Sequence, residues 1–219
     1  IIARGDVKLL QIDVAARDDT LLTIFEVKSK SLTLRARSGN VVKTLDDYAG
    51  SFLALLRQLA RHERAILAGA TPFATSEEAA TAEITSVAIS PLTFGPLSDR
   101  MLARALLGAL VKTRLRAADG DKEVTKILAK VEHACVHLLD EIVPLTLSAT
   151  EELDLHPLLM RCFWLDLGEI LYIFRRSDTI TGAFEPLRYL TFVSRDFWTE
   201  VALADRQGLT ASHWRPVAA

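Results

Sequence analysis

Two carboxylates and an amine are set into otherwise apolar, alternating sequence near the start of this chain. Asp13 lies in VKLLQIDVA, and Glu26 and Lys28 lie in LLTIFEVK. Residues 7–15 and 21–28 are rich in Leu, Ile and Val and are joined by a polar turn, the pattern of a β-hairpin. Side chains alternate between the faces of a strand, so Ile24, Glu26 and Lys28 share one side, and Phe25 and Val27 share the other. With a loop from Asp18 to Leu21, Asp13 falls directly across from Glu26, their Cβ atoms roughly 4.5–5.5 Å apart. Carboxylates that close repel unless a cation lies between them. Mg²⁺ suits the position, because it takes oxygen ligands and combines one or two carboxylates with water and phosphate. Lys28, on the same face, is placed to orient or deprotonate an attacking water, or to stabilise charge on a phosphate. The alternative is an ordinary cross-strand ladder of acids and a lysine on a solvated face.

The elements that must position these groups follow in order. SKSLTLRARSGNVVK is polar and basic, with a turn signal at Gly39-Asn40. From Thr44 to Leu67 the spacing turns helical: Leu45, Tyr48, Phe52, Leu55, Leu56, Leu59, Ile66 and Leu67 fall on one face. Thr44 with Asp46 and Asp47 suits a helix N-terminus. AGATPFATSEEAATA reads as a linker, and EITSVAIS (83–90) as a strand. After Pro91 the chain is expected to be mainly helical. LSDRMLARALLGALVKTRL begins at a Ser or Asp cap, and VTKILAKVEHACVHLLDEIV is stopped by Pro144. CFWLDLGEILYIF reads as a buried helix with Asp166 and Glu169 at its margin, and EPLRYLTFVSRDFWTEVALADR as further helix. The domain boundary is placed near residue 97.

The hairpin QIDVAARDDTLLTIFEVKSK, with Asp13 and then Glu26-Val27-Lys28 on the next strand, resembles that of the PD-(D/E)xK nuclease superfamily, in particular its RecB-like and Holliday-junction-resolvase-like members. The resemblance covers the first 90 residues or so. It implies a restriction-endonuclease-like αβββαβ core over residues 1–97, followed by a helical accessory or interaction region over 98–219. The chain opens IIARGDVKLL, without Met and already strand-like, so the first helix and first strand are expected upstream of Ile1. In such enzymes the aspartate and glutamate bind Mg²⁺ (or Mn²⁺) and the lysine is catalytic. That implies Asp13 and Glu26 as metal ligands, the Val27 carbonyl as a further one, and Lys28 as the catalytic amine. RecB-like members also carry a glutamine on the following helix and a tyrosine four residues later. Gln58 stands at a suitable place, but the residue four on is His62. Positions four apart share a helix face, so both can look toward the site; Gln58 equally suits a plain surface position.

The expected activity is metal-dependent hydrolysis of phosphodiester bonds, in DNA rather than RNA, in repair, restriction or antiphage defence. The alternative is an inactive nucleic-acid-binding or scaffolding subunit of a larger complex. Lys28, Lys30, Arg35, Arg37 and Lys43 follow one another with no intervening acid, and the helix adds Arg57 and Arg61. Lys and Arg on phosphates supply most sequence-independent affinity for nucleic acid, and a solvated loop would look the same. A net charge of -2 shows no overall nucleic-acid signature, so any such partner must be held locally. Two well-separated cysteines, Cys135 and Cys162, argue against a disulfide framework and fit a reducing cytoplasm. No apolar run reaches membrane-spanning length. The helical half offers a surface for a protein partner or a second copy. In HACVH, His133 and His137 share a helix face while Cys135 points about 200° away, so the three cannot converge on zinc. A two-histidine site would need ligands from outside.

Overall fold

The computed structural model describes residues 2–4, 7–10, 12–18, 21–29, 32–69, 83–91, 94–118, 120–146, 153–190 and 196–215. Strands β1 (Ile2–Arg4) and β2 (Val7–Leu10) form a small antiparallel hairpin. Strands β3 (Val14–Asp18), β4 (Leu21–Val27), β5 (Glu83–Ser90) and β6 (Cys162–Asp166) make a mixed sheet in the order β3-β4-β5-β6. The pair β3/β4 is antiparallel, whereas β4/β5 and β5/β6 are parallel.

The strand expected over 7–15 is in fact two. The chain bends at Asp13, whose Oδ2 accepts a hydrogen bond from the Val27 N–H at 2.9 Å. A side chain thus takes the place of the main-chain ladder, and pairing begins only at Val14. From there the register runs Val14↔Phe25 through Asp18↔Leu21. Asp13 therefore lies just before the first paired rung, Val14↔Phe25, beside the end of β4 that carries Glu26 and Val27.

The crossover from β4 to β5 begins with a short helix, α1 (Leu34–Arg37), where a polar loop was expected. A longer helix then starts earlier than Thr44. Gly39 takes a φ of 92°, and the Asn40 side chain caps α2 (Val41–Tyr48) by accepting from the Lys43 N–H. Residues Ala49–Leu53 form a π-helical turn, and α3 (Ala54–Leu67) continues the same rod. The π-turn carries Phe52 into the core, stacked on Tyr48 at 4.4 Å and on Trp164 at 4.3 Å. Leu67, expected on the apolar face, is exposed instead, at the end of the helix.

The second half is not only helical. Helices α4 (Arg100–Lys112, capped by Asp99) and α5 (Lys122–Thr146) pack on the face that α3 covers. Pro144 sits inside the last turn of α5 rather than ending it. Proline has no N–H to give the carbonyl four residues back, and Arg64 Nη1 donates to that carbonyl, of Asp140, at 3.2 Å. The short helix α6 (His156–Met160) leads into β6, which occupies the start of the segment expected to be a buried helix. CFWL is a short run, apolar on both faces, and joins the sheet by parallel pairing with β5. Cys162 and Trp164 face α3, and Phe163 and Leu165 face the opposite layer. Asp166 and Glu169 then form a capping box at the start of α7 (Leu167–Arg176). Helices α8 (Ile180–Phe184) and α9 (Phe197–Arg206) complete the second layer, joined by a 3₁₀ turn at Glu185–Tyr189.

The result is helix, sheet, helix. One core lies between the sheet and α2–α6, the other between the sheet and α7–α9. Among the described residues no helix is long and apolar enough to cross a membrane.

Candidate active site

The site forms where the C-terminal end of β4 passes beneath α3. Leu22 and Ile24 on β4 face α3, joined there by Ile66 and Ile84. By the same alternation Glu26 points into that interface, where it is 0% exposed. Its rung partner on β5 is Ala88. Gln58 Nε2 donates to Glu26 Oε2. One turn along, His62 Nδ1 lies 2.9 Å from Glu26 Oε1, with His62 itself 3% exposed. That approach has ion-pair distance but not hydrogen-bond alignment, so both Oε1 and Nδ1 remain buried without an aligned partner. Burying an unsatisfied carboxylate oxygen costs on the order of 1–3 kcal/mol.

Asp13 is exposed beside the same end of β4 and spends one lone pair on the Val27 N–H. Val27 projects its side chain outward, 52% exposed, from the other face of β4. Lys28 follows, partly buried, its main-chain N–H bonded to the Ile89 carbonyl at 2.9 Å, which carries the β4/β5 pairing one residue further. The structure thus brings Asp13, Glu26, Gln58 and His62 to one end of the hairpin, with Lys28 two residues beyond Glu26. His62, considered in sequence only as a departure from a tyrosine pattern, is the contact that sequence reasoning undervalued. Its signal is the four-residue spacing from Gln58, which puts both on one face of α3.

The basic residues are distributed less evenly. Lys43 is matched inside its own helix, 2.5 Å from Asp46 Oδ2 and 3.1 Å from Asp47 Oδ1, and these bonds raise its pKa. Asp47 is anchored in turn by the Thr33 backbone N–H at 2.8 Å and by the Thr33 hydroxyl. Arg37 Nε donates to the Leu32 carbonyl at 3.2 Å, and Arg35 is exposed in the same short helix. On α3, Arg57 is half-buried and Arg61 exposed, alongside the Gln58–His62 face. Lys30 lies outside the described residues, as does most of the linker AGATPFATSEEAATA.

No family model, curated protein or solved structure matches this chain.

The chemistry of the site therefore has to be read from its own atoms. Among the described residues no three His, Cys, Asp or Glu side chains converge in a metal-binding group. Two carboxylates and a main-chain carbonyl make a sparser, all-oxygen set, of the kind that leaves several positions of a hard cation to water and phosphate. Glu26 Oε1, buried without an aligned hydrogen-bond partner, is the atom that fits such an ion. Of the other polar motifs, Cys135 is buried in the core beneath α5, and His133 and His137 lie side by side on its outer surface.

Proposed function

We propose that this chain is a metal-dependent nuclease that hydrolyses phosphodiester bonds, with DNA the expected substrate, on a restriction-endonuclease-like core. The observation that carries the reading is Glu26. It is a fully buried carboxylate near the end of β4, with Asp13 bonded to the next residue's N–H, Lys28 two residues on and Gln58 held against it. Asp13, Glu26 and the Val27 carbonyl are hard oxygen donors that would hold Mg²⁺ or Mn²⁺. Such an ion supplies a Lewis acid and lowers the pKa of bound water. Gln58 fixes the Glu26 carboxylate by its amide, and His62 closes the site from the same helix. The Lys28 amine orients the attacking water and offsets negative charge gathering on the phosphate. Arg57 and Arg61, with Arg35 and Arg37, draw in the polymer backbone, so binding should weaken as salt rises. A role in repair, restriction or antiphage defence is consistent with such an enzyme.

One observation favours a second reading. Asp13 already accepts from Val27, and Glu26 already has Gln58 and His62 beside it, so the pair has internal partners without an ion. A nucleic-acid-binding or scaffolding subunit would keep that arrangement and do no chemistry.

Cleavage of plasmid, single-stranded DNA and RNA in Mg²⁺, Mn²⁺ or EDTA separates the two. The enzyme reading expects metal-dependent cleavage that Glu26→Ala abolishes and Lys28→Ala lowers by about 10²–10⁴-fold. Salt-sensitive binding with no cleavage in any metal establishes the second reading and removes the first.

A further inference from the structure

The outer face of α5 carries a second arrangement that the proposed nuclease chemistry does not use. His133 and His137 are one helical turn apart, and their Nε2 atoms approach to 3.0 Å. The rings meet edge to face, with centroids 4.1 Å apart, so the nitrogens are turned toward each other rather than stacked away. On its far side His137 presents Nδ1 to Asp140 Oδ2 at 3.6 Å. A carboxylate there favours the tautomer with the proton on Nδ1 and leaves the Nε2 lone pair free, the arrangement by which acidic partners orient metal-ligating histidines. In that tautomer His137 Nε2 accepts from the His133 Nε2–H while no ion is bound, and an ion would take His133 with its proton moved to Nδ1, so that both rings bind as neutral imidazoles.

We infer that the His133–His137 pair is a surface chelate for a transition metal ion that prefers nitrogen ligands at right angles, Cu²⁺ or Ni²⁺ before Zn²⁺. The separation of the nitrogens sets the preference. With metal–nitrogen bonds of about 2.0–2.1 Å, atoms 3.0 Å apart subtend about 95° at the ion. That suits adjacent positions of a square-planar or tetragonal ion, whereas a tetrahedral ion needs nitrogens further apart. Imidazole also excludes the hard Mg²⁺ expected by the Asp13–Glu26 oxygens. Both rings stand on the solvent side of α5 while Cys135 is buried beneath. The site is open, with its remaining positions left to water or to an outside ligand.

The test is titration of the untagged full chain, freed of metal by EDTA dialysis, with CuCl₂, NiCl₂ and ZnCl₂ by calorimetry, with EPR on the Cu²⁺ sample. One equivalent of Cu²⁺ with nitrogen hyperfine structure is expected, bound more tightly than Zn²⁺. His137→Ala should weaken it at least 10-fold, and Asp140→Asn by about 10-fold. Glu26→Ala should leave it unchanged, which separates this site from the nuclease reading. Both imidazoles are on the surface, so the variants should keep the parent circular dichroism. Ni²⁺ should raise the melting temperature of the unsubstituted protein and not that of the His133→Ala/His137→Ala double variant, since binding to the folded state stabilises it. Equal stoichiometry and affinity in the His133→Ala/His137→Ala double variant overturns the proposal. So does Cu²⁺ bound without nitrogen hyperfine structure.

Discussion

The Gln58 side chain donates to the Glu26 carboxylate across 32 positions of sequence. One hydrogen bond thus ties the crossover helix to the end of the second hairpin strand, where the carboxylate is sealed from solvent. Glu26→Gln keeps the shape and removes the charge. Because a buried charge costs more to desolvate than an amide, this variant should lose cleavage while keeping or raising its thermal midpoint. A variant that unfolds would instead mark Glu26 as mainly structural.

His62→Ala and Gln58→Ala should behave oppositely to Glu26→Gln. Each leaves the buried carboxylate short of a partner, so each should destabilise by about 1–3 kcal/mol in urea unfolding. Combined with Glu26→Gln the losses should be smaller, and the double-mutant cycle should show coupling above about 0.5 kcal/mol. Simple additivity would mean that the contacts carry no shared energy.

Glu169 predicts how stability follows pH. Burial pushes its pKa up to about 7, against a hydrogen bond from the Asp166 backbone that pulls it down. The folded state then holds a proton that the unfolded state releases between the ordinary glutamate value of 4.5 and about 7. Stability from this group is full below that window and falls as pH rises through it, by at most about 3 kcal/mol. Glu169→Gln should flatten that part of the stability–pH curve and leave a good N-cap at Asp166. An unchanged slope between pH 5 and 7 would remove the assignment.

Asp46 has the opposite sign. Hydrogen bonds from Lys130 first, then Lys43, lower its pKa to about 2. Its contribution is present above the ordinary aspartate value of 3.8 and is lost as pH falls through about 2. Lys130 is half exposed, so solvent screening holds the pair to about 1 kcal/mol or less. Asp46→Asn should lower stability at pH 6 by that amount and progressively less as pH falls through about 2, measured by urea midpoints.

Arg100 should be among the most sensitive positions outside the site. Its guanidinium is buried and reaches four carbonyls, of Met160, Leu187, Arg188 and Leu190, at 2.7–3.1 Å, with the charge over the Phe163 ring. Arg100→Ala removes the guanidinium donor from all four, leaving only the Leu187 carbonyl a bond, from the Leu190 N–H at 3.3 Å, and should cost about 3 kcal/mol or more. Lysine, a single point with three donors, should recover only part of the loss.

Much of this was legible from the residues alone. The hairpin register from Val14↔Phe25 to Asp18↔Leu21 followed from a side-chain period of two and a short polar turn. The strand Glu83–Ser90 was bounded as its alternation indicates. The helical run before it gave the Gln58–His62 face, because 3.6 residues per turn fix which side chains align. Local chemistry also determined that Cys135 turns away from its flanking histidines.

Tertiary structure decided the rest, where local sequence is degenerate. CFWL has no alternation to separate strand from helix, and only the open edge of β5 made it β6. The bend at Asp13 depends on the Val27 N–H, and the passage of α5 through Pro144 depends on Arg64, partners that lie far along the chain. That Glu26 is sealed rather than solvated depends on α3 crossing above it and on Ala88 beside it. Alternation fixes which face a side chain takes; only packing fixes what covers that face.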